Sequence, residues 1–458
     1  MSENKSKRNV GMLLGDYRVA VRKMAGPMIL NMLIVQSYNL IDGVWVSFLG
    51  SDALAAVGFV TALFIILNGL SNGLGAGVTS LISRRIGAKD KEGADRAATQ
   101  SILASTVIII LISVVILVLQ KPILYGLGAG SVYDLAASYN TIIFIGAVFV
   151  TLSAVLAGIL RAEGDVKRAV YALIFSSILN IILDPIFIFY FNMGVAGAAL
   201  ATILSSFVSV LIIAYWLLVK SDTFVDIKVK YIKPHSKTIA GLLAVGIPAA
   251  LEFMCISFNL GIANKILSIV GSAAAVATYT AGIRVVLFGI VPTAGLATAV
   301  IAVAGAAFGG EDYVKLKNVL NYATKLGVLI ALLTASIIFI FAEQIALLFS
   351  FSPQTALLVP DIALMLRVMS LFFLFTPLGS VSGSFFQSMG RGLTSLILGI
   401  FRDVIFAAIF MSLFALVFHW GSMGVWAGVV AGKIVGATIG WIYANFEANK
   451  LIRKNKDI

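Results

Sequence analysis

Long apolar runs alternate with short polar segments along nearly the whole chain. Runs such as 102–119, 141–160 and 203–219 approach or reach the ~20 residues that a helix needs to cross about 30 Å of hydrocarbon. Backbone polar groups must be paired within lipid, which leaves only helices and closed β-barrels as spanning structures. Barrel strands alternate apolar and polar residues, whereas these runs are continuously apolar. The pattern therefore predicts an all-α membrane protein.

The same pattern predicts twelve membrane-spanning helices. We place them at roughly 21–48, 53–83, 97–119, 135–160, 168–191, 195–219, 239–268, 272–307, 315–341, 357–386, 392–418 and 424–446. Several of these exceed the minimum length, so we expect tilted or kinked helices, or helix ends that emerge from the bilayer.

Composition agrees with this fold class. Of 458 residues, 60% are hydrophobic and 12% are charged, about half the charged fraction of a soluble domain. The basic N-terminus and the length of the first apolar segment do not fit a secretory signal. Cys255 is the single cysteine, which excludes an intramolecular disulfide and a cysteine-based metal site.

The net charge of +12 would suit nucleic acid, but the basic residues are arranged by membrane side. With twelve spans, one set of loops and both termini hold nearly all of them, and the opposite loops hold only Lys121 and Lys265. The basic set comprises the N-terminal arm, Arg84, Arg85, Lys89, Lys91, Arg96, Arg161, Lys167, Arg168, Lys220, Lys228, Lys230, Lys233, Lys237, Lys315, Lys317, Arg391, Lys450, Arg453, Lys454 and Lys456. The positive-inside rule then predicts an inner- or plasma-membrane protein with both termini in the cytoplasm and no nucleic-acid partner.

The two halves of the chain resemble each other at three points, in the same order. The matched segments are Pro27 to 38–40 with Pro248 to 258–260, 86–90 with 308–312, and 193–195 with 423–425. Each half holds six spans, so both halves enter the membrane from the same side. We expect two six-helix bundles related by a pseudo-two-fold axis along the membrane normal, with the substrate site between them.

This repeat suggests a division of the chain into five parts, with the longest internal polar stretch as a linker. We assign 1–20 to a cytoplasmic arm, 21–219 to an N-lobe, 220–238 to a cytoplasmic linker, 239–446 to a C-lobe and 447–458 to a cytoplasmic tail.

Asp42 lies well inside the first predicted span, where an ionisable group costs at least about 2.5–3.5 kcal/mol. Tyr38 lies one helical turn before it and Asn39 three residues before it, so the three side chains share roughly one face.

Asp184 lies deep in the fifth span, with Asn180 one turn before it and Ser177 one turn further back. Pro185 removes a backbone donor and bends the helix there. A carboxylate with amide and hydroxyl neighbours can hold a proton or a small hard cation. The alternative for both aspartates is a buried hydrogen bond or ion pair between helices.

The second half carries its own charged groups at membrane depth. Its cations are Arg284, Arg367, Arg402 and Lys433. Glu252 has two interpretations, a carboxylate in the substrate cavity or the partner of one of these cations. For Asp403, an ion pair is favoured.

Motifs of several enzyme classes are missing from the sequence. Gly432-Lys433 resembles the end of a phosphate-binding loop, but Ile434 stands where Ser or Thr is required. The HExxH motif of zinc proteases is also missing. We therefore expect no catalysis and no cofactor, and an ion gradient as the source of energy.

Several segments resemble the multidrug and toxic compound extrusion (MATE) family. They are 38–46, 72–77, 84–87, 180–185, 194–202 and 424–426, which together extend over nearly the whole chain. The sequence is most similar to the DinF-type branch, which has an aspartate in each of helices one and five.

The resemblance implies site residues. It places Asp42, Asn180, Asp184 and Thr202 in a proton- or cation-binding cluster, with Na⁺ as one candidate ion and no structural metal. We assign the substrate cavity to Tyr38, Asn39, Ser177 and Glu252. The chain departs from the family pattern at Glu252, about one turn from the carboxylate of the NorM-type branch, and at Lys433, where DinF-type members usually have an acidic residue.

The implied activity is H⁺- or Na⁺-coupled export of small amphiphilic organic cations by alternating access. A flippase for lipid-linked oligosaccharides with a similar two-lobed fold is the main alternative, because of the cations in the second half. A non-transporting membrane protein is a further alternative. Since Asp42 and Asp184 have no carboxylate counterparts at the repeat-related positions of the second half, ion coupling is expected in the N-lobe.

Overall fold

The computed structural model describes residues 2–271, 273–349 and 356–456, and within these ranges the chain is helical with no β-strand. The α-helices are α1 Ser2–Leu14, α2 Tyr17–Ser47, α3 Ser51–Gly87, α4 Lys91–Val118, α5 Gln120–Gly126, α6 Tyr133–Ile145, α7 Ala147–Ala162, α8 Val166–Pro185, α9 Val195–Ala214, α10 Ser236–Val270, α11 Ala273–Gly309, α12 Tyr313–Ile340, α13 Ala342–Leu347, α14 Val359–Phe373, α15 Thr376–Ser388, α16 Gly392–Ile400, α17 Phe406–Ser412 and α18 Gly421–Lys456. In the same ranges, π-helical turns extend them at Ile186–Tyr190, Tyr215–Val219, Phe401–Ile405 and Leu413–Val417.

The described residues form up to twelve candidate membrane spans, as the sequence predicts. Ten helices are long and apolar enough to cross a bilayer, and two bent pairs complete the set. The chain bends by 43° between α6 and α7 and by 45° between α14 and α15. Gly146 caps the end of α6, and Pro377 lies in the first turn of α15, where its missing N–H costs least. The all-α prediction is confirmed.

The internal repeat is visible in unusual backbone conformations. Residues with positive φ occur in matched pairs in the two halves, namely Lys89 and Glu311, Gly164 and Gly390, Asn192 and His419, and Gly194 and Gly421. The π-helical turns at Ile186–Tyr190 and Leu413–Val417 precede the last two pairs in the same way. The sequence match of 193–195 with 423–425 pairs Gly194 with Gly424. The backbone instead pairs Gly194 with Gly421, because α18 begins three residues earlier than that match implies.

The buried apolar residues show where the two halves meet. One core contains residues from both, including Leu160 and Ile86 from the first half and Val303 and Phe386 from the second. Two further cores among the described residues each belong to one half only, one around Phe144 and the other around the α14 phenylalanines. The shared core lies toward the basic loops and the termini, so the halves join on that side, and their cores separate toward the opposite side.

Small residues allow this junction to form. Helix α3 packs against α10 and α11, and a Cβ at Gly77 would lie only 2.7 Å from the Leu242 carbonyl oxygen. Near the end of α3, Ser80 Oγ donates to the Gln387 carbonyl at 2.5 Å. Such backbone-to-backbone contact is how membrane helices pack when burial of apolar surface does not favour association.

The segment that joins the two halves is bound to the first half by buried polar contacts. Asp95 is 1% exposed, accepts a hydrogen bond from the Asp226 amide at 2.9 Å and pairs with Lys228 at 2.7 Å. A second attachment is the two-pronged ion pair of Arg168 with Asp222, with both N–O distances 2.5 Å. These contacts hold the first part of the joining segment against the first half.

Glu163 adds a pH-sensitive attachment of the same segment. Its Oε2 accepts the backbone N–H groups of Phe224 at 2.8 Å and Val225 at 3.1 Å. Burial above all, with a contribution from Asp165, raises the pKa of Glu163 to about 8, although the two amides and Arg168 act to lower it. Because its pKa is raised in the folded protein, Glu163 contributes its full stabilisation below the pKa that it has in the unfolded chain. That contribution is lost as the pH rises through its pKa in the folded protein.

We therefore expect the linker to open more readily at alkaline pH. Between pH 6 and pH 9 the opening free energy at Phe224 and Val225 should fall by about 2–3 kcal/mol. Hydrogen exchange of these two amides, corrected for the intrinsic rate at each pH, measures it. Glu163→Gln keeps an acceptor oxygen without the titration, so its protection should be independent of pH. An equal pH dependence in this variant would assign the effect to another group.

Candidate functional site

Two helices of the first half bring the intramembrane aspartates together. Asp42 lies near the end of α2 and Asp184 lies in the last turn of α8, and these helices pack along each other. The two carboxyl groups lie within hydrogen-bonding reach of one another. Asp184 is fully buried. The residue spacing predicts a separate polar stripe for each aspartate, and the fold makes the two stripes neighbours.

Their surroundings leave several oxygens without partners. Asn180 Nδ2 approaches Asp184 Oδ1 at 3.5 Å, a long hydrogen bond at best. Asp42 Oδ1, Asn180 Oδ1 and Asp184 Oδ2 are buried without a hydrogen-bond partner, and no ion pair involves either aspartate within the described ranges. Buried, unpaired acceptors are costly, and two adjoining carboxylates repel each other. A shared proton or a bound cation would satisfy these oxygens, and the ion-binding role of the cluster stays a prediction.

Two tyrosines lie near the aspartate pair, close enough for its charge to act on them. Tyr38 is one helical turn before Asp42 on α2. Tyr139 lies on α6 and is 5% exposed. Sequence reasoning missed Tyr139. Its one signal is a tyrosine near the start of an apolar span, which is common at membrane interfaces.

The backbone around Asp184 is irregular. Pro185 ends α8 and supplies no N–H, and the chain continues as the π-helical turn Ile186–Tyr190. The Phe191 amide then bonds to the Ile186 carbonyl, five residues back. Such turns recur at functional sites, where they reorient side chains within a helix. The predicted proline bend thus lies next to the acidic residue.

In the described structure, three other predicted site residues make no hydrogen bond with Asp42 or Asp184. Thr202 Oγ1 donates to the Ala198 carbonyl at 3.2 Å, and Ser177 Oγ donates to the Leu173 carbonyl at 3.0 Å. Asn39 is exposed. Their assignment to ion binding or to the substrate cavity stays a prediction.

The charged residues of the second half form a separate network. Asp403 is 4% exposed and pairs with Arg402 at 2.6 Å and with Lys433 at 2.8 Å, which confirms the expected ion pair. Glu252 pairs with Arg402 at 3.4 Å and accepts hydrogen bonds from Ser395 and Gln387. Of the two interpretations of Glu252, the described contacts favour the cation partner.

The other two cations lie apart from this network. Arg367 pairs with Glu343 at 2.8 Å, and both side chains are exposed. Arg284 is exposed on α11. Across the described ranges, no group of three or more His, Cys, Asp or Glu side chains is arranged to hold a metal ion.

Comparison with known proteins identifies the family of this arrangement. The MatE family model matches residues 27–186 and 248–413, one segment in each half and well over half of the chain. The chain belongs to the MATE family. It is 28% identical over 411 residues to the multidrug export protein MepA of Staphylococcus saprophyticus, covering 89% of both chains. MepA of Staphylococcus aureus is also 28% identical, over 412 residues and 89% of both chains.

A solved MATE structure matches the whole fold. An outward-facing multidrug resistance MATE transporter of the MOP superfamily superposes with a TM-score of 0.94 and 38% sequence identity, covering 97% of this chain and 99% of that chain. The family resemblance seen in the sequence is confirmed, and so is the two-bundle membrane fold.

Proposed function

We propose that this chain is a multidrug efflux antiporter that exports amphiphilic organic cations in exchange for H⁺ or Na⁺, with ion coupling at Asp42 and Asp184. The observation that carries the proposal is that the Asp42 and Asp184 carboxyl groups adjoin each other. One buried oxygen of each, together with Asn180 Oδ1, has no hydrogen-bond partner in the described structure. The relatives named for multidrug export support the substrate class.

The chemistry of the cluster suits ion exchange. Carboxylate and amide oxygens are ligands for a small hard cation, and the adjoining carboxylates can instead share a proton. A bound proton or Na⁺ relieves the repulsion between Asp42 and Asp184, and so does a cationic substrate near the pair. The ion and the substrate thus compete for the same negative charge, which is the requirement for antiport.

The architecture supplies the alternating access. Residues 21–219 and 239–446 would move as two lobes, and the tightly packed seam between α3, α10 and α11 closes one side. If the basic side is cytoplasmic, as the positive-inside rule indicates, this state is outward-open and both termini are cytoplasmic. Assignment to the DinF-type branch rests on the two N-lobe aspartates.

Charge pairing in the second half favours an exporter over the flippase alternative. A site for pyrophosphate needs several cations without carboxylate partners. Arg402 and Lys433 instead share Asp403, and Arg402 also contacts Glu252. The network as a whole is close to neutral.

Proteoliposomes test the proposal. Protein is reconstituted into vesicles of zwitterionic lipid, loaded with ethidium as a cationic dye, and an inward proton gradient or an inward Na⁺ gradient is imposed separately. We expect dye efflux under at least one gradient and none when ionophores collapse it. Equal efflux with and without both gradients would overturn ion-coupled export.

A further inference from the structure

The segment that joins the two halves carries exposed apolar side chains. Val229 is 81% exposed and Ile232 is 49% exposed, while Tyr231 between them is buried against the protein. Single exposed apolar residues are ordinary on a surface that faces water. The position of these two relative to the membrane therefore decides what they mean.

Hydrogen bonds to α4 fix the height of this stretch. Gln100 Nε2 donates to the carbonyl oxygens of Tyr231 at 3.2 Å and Lys233 at 2.7 Å. Exposed large apolar residues begin on α4 at Leu103 and recur as far as Val118, as expected of a surface that faces lipid. At 1.5 Å per residue, that surface begins about 5 Å beyond Gln100. The stretch thus lies at the edge of the hydrocarbon region.

Two lysines give the same stretch an uncompensated positive charge. Lys230 and Lys233 are exposed, and neither belongs to an ion pair among the residues that the structure describes. The Lys230 ammonium lies 4.6 Å from the centre of the Tyr231 ring, a contact that leaves its charge in place.

The acidic groups nearby are already paired with other lysines. Asp95 pairs with Lys228 at 2.7 Å. Asp226 pairs with Lys91 at 3.0 Å and with Lys228 at 3.3 Å. The carboxylates therefore balance Lys91 and Lys228, and the charge that residues 229–233 present outward is positive.

We propose that residues 229–233 are a membrane anchor that binds anionic phospholipid in the leaflet on the basic side. Val229 and Ile232 enter the interface, where apolar side chains gain by leaving water, and Lys230 and Lys233 contact lipid phosphates. A lysine close to an anionic leaflet favours binding about fivefold. The anchor does not depend on the coupling ion or on the exported compound.

Quenching of a fluorophore by lipid tests the position of the anchor. Bimane is attached at Val229→Cys or at Ile232→Cys in a Cys255→Ala background, and the protein is placed in nanodiscs that contain a lipid with a nitroxide near the start of an acyl chain. We expect a loss of fluorescence at both positions. Glu92→Cys is the matched control, since it is exposed on the same side but lies about 12 Å before Gln100 along α4. Its loss should be much smaller.

The headgroup of the quenching lipid tests the preference for anionic lipid. With bimane at Val229→Cys, phosphatidylglycerol that carries the nitroxide is compared with phosphatidylcholine that carries it, at equal mole fraction. Phosphatidylglycerol should associate more strongly, by about fivefold for each of the two lysines. Lys230→Gln/Lys233→Gln should lose this preference. Lys121→Gln/Lys265→Gln removes the same charge from exposed positions on the opposite side and should keep it.

Three results would overturn the anchor. The first is quenching at Val229→Cys and Ile232→Cys that is no greater than at Glu92→Cys. The second is equal quenching by the two headgroups, and the third is a preference for phosphatidylglycerol that survives in Lys230→Gln/Lys233→Gln. No gradient and no dye are used, so failure of the ethidium efflux assay would leave these measurements unchanged.

Discussion

Asp42→Asn and Asp184→Asn should each lower gradient-driven ethidium efflux by about 100-fold, the upper end of a coupling free energy between two sites. An asparagine cannot exchange a proton, and it lacks the charge that attracts Na⁺. Its amide can, however, donate a hydrogen bond to the remaining carboxylate, so the contact between α2 and α8 is retained. Efflux is measured in proteoliposomes at matched protein density.

Two controls separate this effect from a general loss of function. Asp52→Asn removes an exposed carboxylate from the first turn of α3 and should leave efflux unchanged. The thermal stability of the two cluster variants should equal or exceed that of the wild type, because a costly pair of like charges is relieved. Gradient-driven efflux at the wild-type rate in either cluster variant would remove that aspartate from the coupling site.

Gly77→Val should shift the protein away from the state described here and lower transport by about tenfold or more. The side chain would meet the Leu242 carbonyl and the Gly246 backbone, which cannot move as a flexible side chain can. Overpacking of this kind costs typically 1–3 kcal/mol, and about 1.4 kcal/mol changes a two-state ratio tenfold. The penalty applies only while the two halves are in contact, so the state that is open on the basic side gains population.

Distances between spin labels measure this shift directly. Labels at Glu92→Cys on α4 and Val314→Cys on α12, both exposed positions near the basic side, report the separation of the halves in a Cys255→Ala background. Gly77→Val should lengthen the distance, and Gly77→Ala should do so to a smaller extent.

A second glycine of α3 supplies the matched control. A Cβ added at Gly58 would meet no atom within 4 Å, so Gly58→Val introduces the same side chain without a clash. Equal distances in Gly77→Val and Gly58→Val would show that the seam tolerates a side chain.

The spans can be predicted from sequence because each is a local property. About 20 apolar residues in a row require a helix in lipid, whatever the rest of the chain does. The main errors concern ends and junctions. The sequence match of 193–195 with 423–425 pairs Gly194 with Gly424, whereas the backbone shows that the equivalent glycine is Gly421.

The candidate site is only partly predictable, since its contacts are long-range. Asp42 and Asp184 stand out in the sequence because a carboxylate at membrane depth demands a reason. Their mutual contact, and the presence of Tyr139, depend on how α2, α6 and α8 pack, which periodicity does not encode.

The same limit applies to the joining segment. Its lysines suggest a solvated linker, and they do face outward in part. The attachment to the first half comes from acidic groups on other elements, Asp95 on α4 and Glu163 after α7. No charge pattern within 220–238 indicates those partners.

Ion release from purified protein tests the central proposal, competition at the aspartate pair, most directly. Ethidium is added to protein in weakly buffered detergent solution, and a pH indicator and a Na⁺-selective electrode record what is released. The proposal predicts that the wild type releases a proton or a sodium ion as ethidium binds, and that the Asp42→Asn/Asp184→Asn double variant releases neither. Ethidium binding without ion release from the wild type, or equal release from the double variant, would contradict it.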